Sequence, residues 1–514
     1  MAVASLRHYD VSEHGMRRLL IVLGVMAASM LQSLDSTITN VALPTIQGNL
    51  GASQDEATWV ITSYVISAII VIPLTPWLQN RFGRKNYFVA SIAGFTLASL
   101  ACGSSQSLTF LILSRTVQGA FGGGLVATGQ SILRDTFPPE QLGTSQGLYA
   151  IGAIMGPALG PPLGGFLVDN WSWNWCFDIN IVPGTFAALI LYALLRDPER
   201  TTPTAVDFPG LGLLAIALGS MQFVLTEGEQ HYWLEDPTIL LMTIVCALAL
   251  VAFTYHELFR TRFPVVDLRI LRNHSVWAGS LLALSLGVAA LGSSYVLPQL
   301  TQGPLGFTPQ LSGLLFLLRA VPIALCTPLI VRIASKVDPR YMLGFGFCTI
   351  AVANYMQASI TTSQASFWTF TVPLVLSGLG SVTLYIPMTI AVLGSTTPRD
   401  GPKASAFINL SLQLGGSISV AMLDVFVHSR EEFHSTIIGG ALTQANSTVR
   451  QFLSTHSLLS LANLAYTQST ILSYADASMA IGTVAIACIP LIFLMRRRRQ
   501  AGPPSELEIG VEMG

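Results

Sequence analysis

A carboxylate inside a membrane-length apolar run is the first group in this sequence that could do chemistry. Asp35 lies in Leu34-Asp35-Ser36-Thr37-Ile38-Thr39-Asn40-Val41-Ala42-Leu43-Pro44, which closes an apolar run beginning at Leu19. A charge at such depth is costly unless it faces a partner or water, which makes it a functional candidate. The run continues for about eight residues, or ~12 Å of helix, before Pro44 is expected to end it. That puts Asp35 below the interface; a helix-end Asp among headgroups is the plainer alternative. Arg115, in Leu111-Ile112-Leu113-Ser114-Arg115-Thr116-Val117-Gln118-Gly119, falls ~10 Å inside the same membrane face. A nearby cation favours the charged carboxylate and burial disfavours it. A pair balanced between the two could load and release a proton as helices move. A static ion pair would have the same composition.

Two further features carry chemical or mechanical weight. Gly152, Gly156, Gly160 and Gly164 recur every four residues with Pro157, Pro161 and Pro162 among them. Such glycines share one helix face and admit a close neighbour, while the prolines remove backbone donors and permit bending. A seal on one side of a pathway is expected; plain packing is the other reading. Arg319 sits near mid-membrane without an acid in its own apolar run, so it could hold an anionic group, tune proton movement or be a satisfied structural residue. Asn40, Trp59, Tyr64, Gln118, Tyr295, Gln299, Tyr385, Asn409 and Gln413 are amphipathic candidates for a cavity wall, although Trp and Tyr also populate interfacial belts. Asp424 reads as interfacial.

The elements that must position these residues are spanning helices. Of 514 residues, 51% are hydrophobic and 10% charged, well below the ~25% charge of soluble domains. Fourteen apolar runs are long enough to cross ~30 Å of hydrocarbon, the first at 19–43 and the last at 474–495. With the N-terminus inside, all but four of the 26 basic residues fall on inner segments. The exceptions are Arg115 and Arg319 within spans and Arg430 and Arg450 in the longest outer segment. A miscounted helix would invert this pattern, so both termini are expected to be cytoplasmic. The first run, preceded by Arg7, Arg17 and Arg18, is expected to be a retained anchor rather than a cleaved signal.

Pro73 and Pro76 with Arg81, Gly83, Arg84 and Lys85 after one run match Pro322 and Pro328 with Arg332, Lys336 and Arg340 after another. The match holds if two helices are inserted between two six-helix halves: 1–200, an inserted pair in 201–272, and 273–495, with a tail at 496–514. Repeated halves are a transporter signature, with the substrate site between them. Segment 428–473 is read as a polar, non-spanning outer loop with helical spacing at Phe433, Ile437, Ile438, Ala441 and Leu442. Val449, Phe452 and Leu453 suggest a second short turn of helix. No Lys precedes Ser or Thr, so no phosphate-binding GxxxxGK[ST] loop exists. Energy must then come from an ion gradient or a separate ATPase. The six cysteines form no CxxC pair, which signals neither a metal site nor a disulfide framework. A net charge of -1 gives no reason to expect nucleic acid, and no hydrolase triad is visible.

At these motifs the chain resembles the major facilitator superfamily and, within it, the fourteen-helix drug:proton antiporters that serve tripartite multidrug efflux systems. The resemblance rests on the Asp35 motif, on Arg115-Thr116-Val117-Gln118-Gly119, on Gly152-Ala153-Ile154-Met155-Gly156-Pro157-Ala158-Leu159-Gly160-Pro161-Pro162-Leu163-Gly164-Gly165, and on Phe177-Asp178-Ile179-Asn180-Ile181-Val182-Pro183-Gly184. It implies an all-α integral membrane fold and proton-driven export of amphipathic compounds across the bacterial inner membrane. It also implies Asp35 and Arg115 as coupling residues, no cofactor beyond the proton gradient, and a periplasmic adaptor and an outer-membrane channel as partners. Pro76 and Asn80 depart from the family's usual Gly and Asp before Arg81, Gly83 and Arg84, which puts charge-based locking of the inner gate in question. Leu412 replaces an Arg found in relatives. A proton-coupled nutrient or metabolite symporter is the alternative, and a non-transporting sensor a further one.

Overall fold

Short polar side chains start many of the helices. Ser53 and Glu56 form a reciprocal capping box, Ser107 caps the helix that carries Arg115, and Asp207, Asp236 and Asp338 cap helices that open on proline. Each satisfies backbone donors that a helix start leaves without partners. The computed structural model describes residues 15–196, 207–228, 233–261, 264, 266–334, 336–397, 400–442, 447–455 and 457–495. Both chain ends, together with Arg200, Arg262 and Arg399, lie outside these residues. Among the described residues there are helices and no strands, and fourteen stretches are long and apolar enough to cross a membrane.

The first half comprises α1 (Gly15–Leu50), α2 (Gln54–Phe82), α3 (Arg84–Gly103), α4 (Leu108–Thr136), α5 (Leu142–Asn170), the short α6 (Trp175–Asp178) and α7 (Ile181–Leu194). An inserted hairpin, α8 (Phe208–Glu227) and α9 (Pro237–Tyr255), precedes the second half. That half contains α10 (His274–Gln302), α11 (Pro309–Ala334), α12 (Pro339–Ile360), α13 (Thr371–Gly394), α14 (Gly401–Ala441), the short α15 (Ser447–Thr455) and α16 (Leu458–Ala487). In the following description the base is the end of the bundle where α1 starts and α16 finishes. Helix α5 packs along α1 and α2 along α4, while α14 packs along α10 and α12 along α13. The halves meet chiefly through α5 and α11, with α14 touching α2 and α4. The hairpin lies over that second seam: Leu214, Leu218 and Phe253 pack with Ile69 and Leu74 of α2 and reach Phe407 and Leu410 of α14. At the start of α8, the Asp207 carboxylate accepts from Gly210 N and from His256 at the end of α9, 2.8 Å away.

Two boundaries differ from the sequence reading. Helix α1 passes through Pro44 and continues to Leu50, where Gly51 takes a left-handed φ of +63°. A proline ends a helix only where the freed carbonyl finds no other arrangement, and later turns can continue. The segment 428–473 carries the expected helical stretches, Phe433 to Ala441 in α14 and Val449, Phe452 and Leu453 in α15, but the first is continuous with its span and not part of a separate loop. Helix α14 has 41 residues, which at 1.5 Å per residue is about 62 Å, roughly twice the hydrocarbon thickness. Its far end and the start of α16 therefore form an arm beyond the spanning layer. Asp476 ties the arm's root by accepting from Arg430 Nε at 2.6 Å and His434 Nε2 at 2.9 Å, and Thr470 donates to Glu431 at 2.7 Å.

The base end is closed between the halves. Gln130 of α4 donates to Tyr385 Oη (3.1 Å) of α13 and to Gln146 of α5 (3.1 Å), and accepts from Asn409 Nδ2 of α14 (2.9 Å). Nearer the base, Arg134 donates to the Thr396 carbonyl at 2.7 Å.

Candidate functional site

The Asp35 site is assembled from five helices of the first half. Hydroxyls of α1 that would be orphaned in an apolar setting bond back along the helix, Ser33 to the Ser29 carbonyl (3.0 Å) and Thr39 to that of Asp35 (2.9 Å). These back-bonds satisfy the two hydroxyls within the helix itself. The Asp35 side chain is fully buried (0% exposed) and that of Arg115 is 1% exposed. Arg115 Nη1 donates to Asp35 Oδ2 at 2.5 Å and to Gln118 Oε1 at 2.6 Å, and its Nε donates to the Val60 carbonyl of α2 at 3.1 Å. The guanidinium stacks over Tyr64, 4.1 Å from the ring centroid, and beside Phe177 at 5.5 Å. The other carboxylate oxygen, Oδ1, accepts from Gln118 Nε2 (2.9 Å) and Asn180 Nδ2 (3.0 Å). Both amides also donate to Ser99 Oγ of α3, at 2.7 and 3.3 Å.

Asn180 owes its place to the break between α6 and α7. It occupies the N-cap position of α7, yet its side chain makes no capping bond and reaches Asp35 instead. Asp35 thus accepts twice from α4 and once from the start of α7, and each donor is held by further bonds. The three side chains that bond the carboxylate, Arg115, Gln118 and Asn180, are all donors.

The glycine helix packs against the helix that bears Asp35. On α5, Gly152, Gly156, Gly160 and Gly164 face α1: a Cβ at Gly156 would lie 2.6 Å from Ser33 Cβ and 2.9 Å from Leu34 N. Gly152 faces Met26, and Gly164 faces Ile38. The helix runs on through Pro157, Pro161 and Pro162. Its other side meets the second half, where a Cβ at Gly313 of α11 would lie 2.7 Å from the Pro161 carbonyl carbon. Helix α5 is therefore wedged between the helix that bears Asp35 and the opposite half.

The remaining candidates separate. Gln118 and Tyr64 belong to the Asp35 cluster. Trp59 stacks on Phe223 of the inserted hairpin (5.7 Å between centroids) instead of facing a cavity. Tyr385 and Asn409 are buried in the base-side polar layer around Gln130, and Gln413 is half-buried on α14. Tyr295 donates to Asp424, whose side chain is partly exposed, at 2.5 Å. Asn40 and Gln299 are exposed. Arg319 stands apart from the Asp35 cluster, bonded within the second half. Near the base, Gly83 separates α2 from α3 at φ +86°, Arg81 is exposed, and Arg84 is ion-paired with Asp135 of α4. Arg84 thus has a carboxylate partner although Asn80 supplies none. Asn180, Ser99 and Gln130 went unrecognised as site or gate residues; an amide in the quoted Phe177–Gly184 motif was the available signal for the first. Among the described residues no group of His, Cys, Asp and Glu is arranged to hold a metal.

Two halves of membrane-crossing helices packed through α5 and α11, with a buried carboxylate–guanidinium cluster in the first half, are the fold of a membrane transporter. Residues 25–419 match the Major Facilitator Superfamily, and the chain belongs to that family; it is a multi-pass membrane transporter, not an enzyme. It is 34% identical over 421 residues to the multidrug export protein EmrB of Escherichia coli K12, covering 82% of each chain. It is 30% identical over 498 residues to the fatty acid resistance protein FarB of Neisseria gonorrhoeae, covering 93% of this chain and 96% of that one. The solved human organic anion transporter MFSD10 shares the fold, with a TM-score of 0.61 at 13% identity over 94% of this chain and 100% of that one.

Proposed function

We propose that this chain is a proton-coupled antiporter that exports amphipathic compounds across a bacterial inner membrane. Its base faces the cytoplasm, and it works as the permease of a tripartite system with a periplasmic adaptor and an outer-membrane channel. The observation that carries the proton coupling is the buried Asp35, bonded to Arg115, Gln118 and Asn180 and carried on the helix that α5 grips. A proton on Asp35 removes its negative charge, releases Arg115 and Gln118, and frees α1 to move against α4. Because α5 contacts both α1 and α11, that motion reaches the interface of the halves and opens the base-side layer around Gln130. Deprotonation toward the cytoplasm restores the ion pair and closes the base. Similarity to EmrB over 82% of the chain supports drug-like substrates and the efflux direction. The far arm of α14 and α16 supports a partner in the periplasm, since Phe433, Ile437, Leu458 and Leu459 on it are exposed.

The test is transport in inside-out vesicles from a host lacking its own pumps. An acid interior should drive uptake of an amphipathic dye, and collapse of the gradient should stop it. Accumulation driven by the opposite gradient would favour a symporter and would overturn the proposal.

A further inference from the structure

Arg319 is a guanidinium inside the membrane layer that pairs with no carboxylate among the described residues. It lies ten residues into α11 from Pro309, or about 15 Å from the far end. Its Nη1 donates to the Ala290 carbonyl (3.2 Å) and Ser294 Oγ (3.0 Å) of α10, and its Nη2 donates to Ser381 Oγ (3.3 Å) of α13. All three acceptors are neutral. The two serine hydroxyls spend their own protons on the Ala290 and Ser377 carbonyls, at 2.9 and 2.8 Å, so their lone pairs are what face the guanidinium. Asp424, a carboxylate of the same half, accepts from Tyr295, the residue after Ser294. Arg115, by contrast, has Asp35.

The guanidinium is also held at a set height. Gly378 of α13 packs against the Arg319 backbone carbonyl, where a side chain would overlap it. Of the five N–H donors on a guanidinium, the described contacts engage Nη1 and one side of Nη2, leaving the Nε edge unengaged. Arg319 keeps partial exposure while Leu315, Phe316, Ala320 and Ile323 on its own helix are buried. A fixed, charged fork with a free edge is complementary to a planar anionic group.

We infer that Arg319 is the anion-recognising residue of the substrate site and that it selects amphipathic organic carboxylates in their ionised form. This rests on the export function proposed above and adds the headgroup preference. The test uses three probes with one ring system, 2-naphthoate, 2-naphthamide and 2-naphthylmethylammonium, binding to the full chain in nanodiscs. The wild type should bind the carboxylate most tightly. Arg319→Gln should weaken carboxylate binding by about ten- to a hundredfold, the scale of lost charge-assisted hydrogen bonds, and leave the other two within about twofold. Arg319→Lys should retain the order with a smaller loss, because an ammonium keeps the charge and not the fork. Equal binding of the three probes by the wild type, or an equal loss of all three in Arg319→Gln, would overturn the inference. If Arg319→Gln does not fold, Arg319→Lys decides: loss of the carboxylate preference overturns it and a weakened preference supports it. Because binding is read without a gradient, failure of proton-driven export would count against the antiporter proposal alone.

Discussion

Gly156→Ala measures how tightly α5 is gripped by α1. The added Cβ would lie 2.6 Å from Ser33 Cβ, 2.9 Å from Leu34 N and 2.9 Å from the Met30 carbonyl oxygen. Two of these three are backbone atoms, which do not swing aside, so one helix must shift. Overpacking of this kind costs about 1–3 kcal/mol. Replacing a helical glycine by alanine returns roughly 0.5–1 kcal/mol, which leaves a net loss of about 0–2.5 kcal/mol by difference. At Gly152 the nearest atom would be Met26 Cβ at 3.2 Å, and at Gly212 of α8 nothing lies within 4 Å. The expected order of thermal stability in detergent is therefore Gly212→Ala at or above wild type, Gly152→Ala near it, and Gly156→Ala a few degrees below. Proton-driven uptake should fall in the same order, and Gly156→Leu and Gly160→Leu should abolish it. If Gly156→Ala is as harmless as Gly212→Ala in both measurements, α5 does not grip α1 and cannot relay its motion.

Three other outcomes are expected. Arg115→Lys should lose most proton-driven transport, since an ammonium cannot bond Asp35, Gln118 and the Val60 carbonyl in one plane; near-normal vesicle transport would reduce Arg115 to a generic charge. Asn180→Ala removes one of the two donors to Asp35 Oδ1 and leaves Gln118 as the other, at a cost of about 1.5–3 kcal/mol for the lost hydrogen bond to a charged group. It should shift the pH dependence of transport while leaving downhill substrate exchange in place, and an unchanged pH profile would count against its role. Replacing 437–461 by a Gly/Ser linker keeps the Arg430–Asp476 and Glu431–Thr470 ties. It should spare vesicle transport and abolish resistance in whole cells, and loss of vesicle transport would show that the arm belongs to the pump itself.

The pairing of Asp35 with Arg115 was legible because both sit in helices of fixed rise, so depth can be counted from either end. The glycine face was legible for the same reason, since a four-residue repeat stays on one side of a helix. What lies across from a helix face is not written in its own period. Nothing around Asn180 distinguishes an amide that caps α7 from one that turns to Asp35; the break after α6 decides it. Tyr385 and Asn409 read as cavity residues because amphipathic side chains suit a wet wall. They also suit a buried polar layer between the halves, and their partner Gln130 comes from the other half. The helices of the arm were legible in the spacing of Phe433, Ile437, Ile438, Ala441 and Leu442 and of Val449, Phe452 and Leu453; the continuity of α14 with its span was not, because the ties to Asp476 that dock it on α16 come from another helix. Pro44 was weighted as a stop, and α1 passes through it.

The coupling role of Asp35 is tested most directly by Asp35→Asn in vesicles, scored by two transport modes. Asparagine keeps the size and accepts through one oxygen, but it cannot carry an exchangeable proton across the working pH range. Proton-driven uptake should vanish while substrate counterflow without a gradient persists, which shows that the variant is folded and binds. Proton-driven uptake at the wild-type rate would contradict the assignment of Asp35 as the coupling carboxylate.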